Sequence, residues 1–321
     1  MPAQRKICIS LAIVIIIVMA CVSEPGSPKL ISHPTQALTA TSTATATAIP
    51  SSATSVPTFT PIPPTETSTP AFVPFPSPIR VTFTAEDGRP LVGYFYSAWK
   101  PNAPVVVLMH QFEGNQAMWQ ESPLIKWLQN WPVPINPASP TPSANGLLPI
   151  MPADLSFAVF TFDFRGHGES LPADIIPDGY QAHANEFLMD ARAAYQVARQ
   201  MPNVDSSKII GLGASIGGDA VVDTCNEGCV GAFSISPGSW LNIDYGQAVQ
   251  KLIATGKPVR CMYSVNDPPT PATCWSVSPD EHYKIYGYPG KKHGMTFVVL
   301  PRKMEKDFGT HLLNFLMEAI Q

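Results

Sequence analysis

The sequence predicts an α/β fold: a mostly parallel sheet with helices on both faces. Two observations carry it. From about residue 80 onward, short continuous apolar runs alternate with stretches of helical periodicity, the order that builds βαβ units. Pro104–His110 and Phe157–Phe164 are also continuous runs without the polar–apolar alternation of a half-exposed strand, as strands covered on both faces are.

The elements follow in order. Val81–Ala85 and Leu91–Ala98 flank the turn Glu86-Asp87-Gly88-Arg89-Pro90 and read as an antiparallel hairpin at the sheet edge. Pro104–His110, Phe157–Phe164, Ile209–Gly213, Val230–Ile235, Pro258–Ser264 and Tyr283–Tyr288 are the buried strands. Between them, Asn185–Met201 places Phe187, Leu188, Ala191, Ala194, Tyr195 and Ala198 on one helical face. Ile216–Cys225, Tyr245–Ala254 and about Lys303–Ile320 complete the helices. One segment, about Asn130–Asp154, is rich in Pro, Ser and Asn. A connection that long is a surface insertion or a flap beside the site. In such a sheet, functional side chains gather at the carboxyl ends of the strands.

The N-terminus reads as an export signal. Arg5 and Lys6 precede an apolar run, Ile7–Ala20, that ends in Val18-Met19-Ala20-Cys21. The run is short of the roughly 20 apolar residues that span a bilayer but suits a signal peptide. Its end resembles a bacterial lipobox, with Cys21 as the lipidated residue after cleavage. An ordinary signal peptide or an uncleaved anchor are the alternatives, and each places the remainder outside the cytoplasm. The expected organisation is a signal over residues 1–20, a Thr/Ser/Pro-rich tether over 21–80, and a folded domain over 81–321. The tether has no apolar periodicity with which to bury surface.

The net charge is -4 with only 14% charged residues, which leaves no basic field for nucleic acid. No glycine-rich phosphate loop, dinucleotide fingerprint or zinc-binding helix is present, so no cofactor is expected. Cys225, Cys229, Cys261 and Cys274 are an even set in an oxidising compartment. Proximity favours Cys225–Cys229 and Cys261–Cys274, although four cysteines allow three pairings. No histidine lies at metal-ligand spacing from either pair.

Gly213-Ala214-Ser215-Ile216-Gly217-Gly218 carries the chemistry. It has the G-x-S-x-G pattern between a predicted strand and a predicted helix, the context of a nucleophile elbow. Such a turn strains the serine backbone and tolerates only small neighbours. The helix that follows aims its first amides at developing negative charge. Four further segments stand in order along the chain: His110-Gln111-Phe112, Asp163-Phe164-Arg165-Gly166-His167-Gly168-Glu169-Ser170, Tyr263-Ser264-Val265-Asn266-Asp267-Pro268 and Gly290-Lys291-Lys292-His293-Gly294.

Together these segments resemble the α/β-hydrolase superfamily, in particular its compact serine esterases and dienelactone-hydrolase-like members, over nearly all of residues 81–321. The resemblance implies an eight-stranded sheet, with Ser215 as nucleophile, His293 as base and Asp267 as acid. Asp244 and Asp280 are weaker rivals for the acid. It gives the backbone amides of Phe112 and Ile216 as oxyanion donors. Gln111 replaces the family glycine, so Gln111 is a rival donor, and Ser264 replaces another glycine. Arg165 and His167 fall in a structural loop, so His167 is not assigned to catalysis. His33, His183, His282 and His311 match no site position. The short stretch between Ile235 and Asp267 leaves no room for a large cap domain. The expected activity is cleavage of a small acyl substrate, an ester first, with an amidase or peptidase, or a non-catalytic surface binding protein, as alternatives.

Overall fold

Among the described residues, eight strands make one sheet: β1 (Ile79–Thr84), β2 (Pro90–Tyr96), β3 (Ala103–Met109), β4 (Ala158–Asp163), β5 (Val204–Ala214), β6 (Cys229–Ile235), β7 (Val259–Ser264) and β8 (Tyr283–Tyr288). The computed structural model describes residues 75–131, 147–299 and 304–321, which all fall within one compact unit, Thr67–Gln321. The signal, Cys21, His33 and most of the tether lie outside them. The strand order is β1-β2-β4-β3-β5-β6-β7-β8. β1 and β2 pair antiparallel, as the hairpin reading expects, β2 runs antiparallel to β4, and every later pairing is parallel. The parallel register aligns the carboxyl ends: Met109 opposes Gly213, Ala214 opposes Ile235, and Ser264 opposes Tyr288.

Helices cover the two faces of the sheet, as the continuous apolar strands β3 and β4 require. On one side, α3 (Ala184–Ala198), α4 (Ile216–Asp223) and α5 (Tyr245–Ile253) share a core with Val105, Val107, Phe160 and Phe162. On the other, α1 (Ala117–Gln120), α2 (Leu124–Gln129) and α7 (Phe308–Ala319) pack on Val106, Leu108, Leu212 and Phe233. α6 (Thr270–Cys274) follows β7. The stretch between β6 and β7 holds a loop and α5.

Several boundaries differ from the sequence reading. β1 begins at Ile79, two residues before the expected domain start at 81. β5 begins at Val204 rather than Ile209. Its first residues, Val204-Asp205-Ser206-Ser207, are too polar to register as an apolar run. α7 starts at Phe308, because Met304–Asp307 form a turn that the helical pattern of the segment had absorbed. α1, α2 and α6 are too short to show a helical period. The flap reading of 130–154 falls largely on residues 132–146, outside the described set. Its described ends are anchored: Trp127 Nε1 donates to Pro149 O at 2.7 Å, and Asn130 Nδ2 to Leu155 O at 2.7 Å.

Both favoured disulfides are present, Cys225–Cys229 and Cys261–Cys274. The second links β7 to α6 across 13 residues, so loop-closure entropy alone gives it about 3 kcal/mol. Replacing both Cys261 and Cys274 by Ala is expected to lower unfolding free energy by about that amount in urea. An unchanged midpoint would mean that the reduced chain is already constrained there.

Candidate active site

Ser215 stands between the end of β5 and the start of α4. Its backbone is at φ +55° and ψ -118°, strained for a residue with a side chain. Its amide donates to Ile235 O at 2.8 Å, which pins the turn to β6. The neighbouring glycines are obligatory. A Cβ on Gly213 would lie 2.0 Å from Gly217 O, and one on Gly217 would lie 2.4 Å from Met109 O. The same close contact seats the first turn of α4 against the end of β3.

His293 follows β8, and Asp267 follows β7. His293 Nε2 lies 2.9 Å from Ser215 Oγ, and its Nδ1 lies 2.8 Å from Asp267 Oδ2. A carboxylate can only accept, so these partners place the ring proton on Nδ1 and leave Nε2 to accept from the serine hydroxyl. The His293 side chain is 34% exposed and that of Asp267 13%, so the pair is reachable from solvent on the histidine side. The histidine loop is tied at three points. His293 N donates to Thr296 Oγ1 at 3.0 Å, Gly294 N to Ser236 Oγ at 3.0 Å, and Met295 N to Gln111 Oε1 at 2.8 Å.

Phe112 follows β3, and Ile216 opens α4. Among the described residues, neither of their backbone amides has a hydrogen-bond acceptor. The Gln111 side-chain oxygen accepts from Met295 N, which makes Gln111 a strut to the histidine loop.

Two buried histidines hold the segment that carries Phe112. His110 Nδ1 donates to Gln111 O at 2.6 Å and its Nε2 accepts from Phe164 N at 3.0 Å. His167 Nδ1 donates to Arg165 O at 2.9 Å and its Nε2 accepts from Glu113 N at 3.0 Å. Glu113 is at φ +60°, a conformation this bond helps to hold. Burial pushes His110 down to about 3 and lowers His167, so both rings are neutral braces. Arg165 bonds Asp190 and Asp87. His167 and Arg165 thus have the structural place expected of them.

The rivals are occupied elsewhere. Asp244 caps α5 through Gln247 N at 2.9 Å, and Asp280 accepts from Tyr283 N at 2.7 Å. His183 faces Asp178 and Glu186, His282 faces Glu281, and His311 stacks on Tyr286. Among the described residues, no three His, Cys, Asp or Glu side chains gather as a metal-binding group.

One important residue has no sequence motif. Asp219, on α4, is fully buried and accepts from Gly238 N at 3.1 Å and Leu241 N at 3.2 Å. Burial pushes its carboxyl up to about 7, against the pull of those amides. It holds the loop after β6 that presents Trp240, whose ring meets His293 edge-on at 5.7 Å. The only available signal was a charge in the otherwise small and apolar run Ile216-Gly217-Gly218-Asp219-Ala220-Val221-Val222.

No protein-family model matches the chain. The uncharacterized protein YfhR of Escherichia coli K12 is 28% identical over 150 residues, 46% of this chain and 42% of that protein. The chain thus spans less than half the length of this curated relative. Solved structures cover far more of it. The α/β hydrolase GrgF from Penicillium sp. sh18 superposes with TM-score 0.52 and 14% identity, over 76% of this chain and 99% of that one. The Pyrococcus furiosus esterase Pf2001 gives TM-score 0.50 and 14% identity, over 75% and 92%. At such identity the likeness speaks for the fold. With the strand order and the serine elbow after β5, it establishes that this chain has the α/β-hydrolase fold.

Proposed function

We propose that the protein is a serine hydrolase that cleaves a carboxylic ester through an acyl-enzyme on Ser215. The observation that carries this reading is the continuous chain from Ser215 Oγ to His293 Nε2 at 2.9 Å and from His293 Nδ1 to Asp267 Oδ2 at 2.8 Å. In the first step His293 takes the serine proton as Oγ bonds to the acyl carbon, and Asp267 stabilises the imidazolium. The carbonyl oxygen becomes an oxyanion, for which the unpartnered amides of Phe112 and Ile216 are the donors. Each such donor contributes about 3 kcal/mol in acyl transfer. His293 then returns the proton to the departing alcohol, and water repeats the sequence to release the acid.

The reading draws support from the fold shared with Pf2001, an esterase. The test is direct. A fluorophosphonate probe is expected to label the wild-type protein and not Ser215→Ala, whose ester hydrolysis should fall by at least about 10⁴-fold. A folded wild-type protein that never labels would sink the proposal.

We further propose that the protein works outside the cytoplasm, lipid-anchored through Cys21. The two disulfides favour an oxidising compartment. Mass spectrometry of the membrane fraction should find acylated Cys21 at the mature N-terminus. A mature chain in the soluble fraction with an unmodified start would overturn the anchor.

A further inference from the structure

Three aromatic side chains from separate loops form a continuous arc at the site. Phe112 lies after β3, Tyr180 before α3, and Trp240 between β6 and α5. The Phe112 and Tyr180 rings are 5.3 Å apart at 71°, and those of Tyr180 and Trp240 are 6.0 Å apart at 86°. Trp240 in turn meets the His293 ring at 5.7 Å and 81°. One end of the arc is therefore the residue with the unpartnered oxyanion amide, and the other end is the base.

The arc is held rigidly. Asn242 Nδ2 donates to Gln181 O at 3.1 Å, which ties the Trp240 loop to the Tyr180 loop. Trp240 Nε1 donates to Ser236 O at 3.1 Å and fixes its ring. A Cβ on Gly238 would lie 2.2 Å from that ring, so the indole lies directly on the backbone. Ser236, Ser239 and Asn242 sit at φ +51°, +53° and +54°, conformations that persist only where surroundings enforce them. Asp219 supplies that enforcement from below. Yet Phe112, Tyr180 and Trp240 all remain partly exposed. A fold that only needed to bury these rings would have no reason to lock them half-open beside a serine.

We propose that this arc is the recognition site for a planar aromatic group attached near the scissile carbonyl, so that the substrate class is an aryl-bearing carboxylic ester. This rests on the serine-hydrolase reading. A ring presented to alternating edges and faces makes quadrupole contacts that an alkyl chain lacks. A rigid ring also loses less rotamer freedom than a flexible chain on entering a fixed slot.

Methyl 3-phenylpropanoate and methyl hexanoate share a leaving group and have similar intrinsic reactivity, so their kcat/KM ratio isolates acyl recognition. Wild-type protein is expected to favour the phenyl ester by about tenfold. Trp240→Leu and, independently, Tyr180→Leu should each reduce that ratio about tenfold. Trp275→Leu, at an exposed tryptophan outside the arc, should keep the wild-type ratio. A protein that labels with fluorophosphonate and hydrolyses both esters, but with no aryl preference or with a ratio unmoved by both arc variants, overturns the arc alone. A protein that neither labels nor hydrolyses any ester overturns the serine-hydrolase reading and the arc with it.

Discussion

Asp267→Asn is expected to lower kcat for ester hydrolysis about 10⁴-fold while leaving the fold intact. The cause is the tautomer of one ring. Asp267 Oδ2 can only accept, so it fixes the proton on His293 Nδ1 at 2.8 Å and keeps Nε2 free to accept from Ser215. An asparagine can turn its amide nitrogen toward Nδ1 and donate. The ring proton then moves to Nε2, where it faces the serine hydroxyl and no longer takes its proton. Substrate binding should change little, because the side chain lies behind the ring rather than beside the acyl group. Stopped assays at saturating ester with circular dichroism as the fold control would measure this. A variant keeping more than about a tenth of wild-type kcat would mean that another group orients His293. Asp244 and Asp280, the sequence rivals, are already engaged with backbone amides.

The second large effect is on acid stability and belongs to His110. The unfolded ring titrates near ~6.5, whereas burial holds it near about 3 in the folded protein. A folded-state value below the unfolded one favours the neutral ring. The stability it contributes is complete above pH ~6.5 and is lost as pH falls toward about 3. The slope is about 1.4 kcal/mol per pH unit for this one group. His167, also lowered by burial, acts in the same direction. Asp219 and Asp190 act in the opposite direction: burial raises them to about 7 and about 6, so protonating them favours the folded state as pH falls. The clean readout is therefore a difference. Urea unfolding at pH 7 and pH 5 is expected to show wild type losing about 2 kcal/mol more than His110→Gln over that interval. Parallel losses in the two proteins would mean that the ring is already charged or accessible in the folded state.

What could be read from the sequence was local. Pro104–His110 announces a buried strand because it has no polar face to expose. Ser215, Asp267 and His293 could be read because each lies in a short motif directly after an apolar run. Ordering the runs then puts all three at one end of the sheet. What escaped depends on contacts between distant residues. Asp219 looks like one acid on a short helix until Gly238 and Leu241 are seen to donate to it. Gln111 shows no structural role in the sequence until Met295 N is seen to donate to its side-chain oxygen. Phe112, Tyr180 and Trp240 carry no common pattern, since an arc assembled from three loops has no period along the chain. The polar start of β5 escaped for a different reason: the pairing of Val204 with Ala103 is a backbone matter and leaves no hydrophobic trace.

The Gln111–Met295 bond joins partners 184 residues apart, and in the sheet β3 and β8 are separated by β5, β6 and β7. It therefore crosses the crest of the molecule like a tie-beam. The segment bearing Phe112 and the segment bearing His293 cannot spread independently. Loosening at either segment is transmitted to the other, so this one side chain works beside the Gly294–Ser236 tie to hold two widely separated strands' loops at a common spacing.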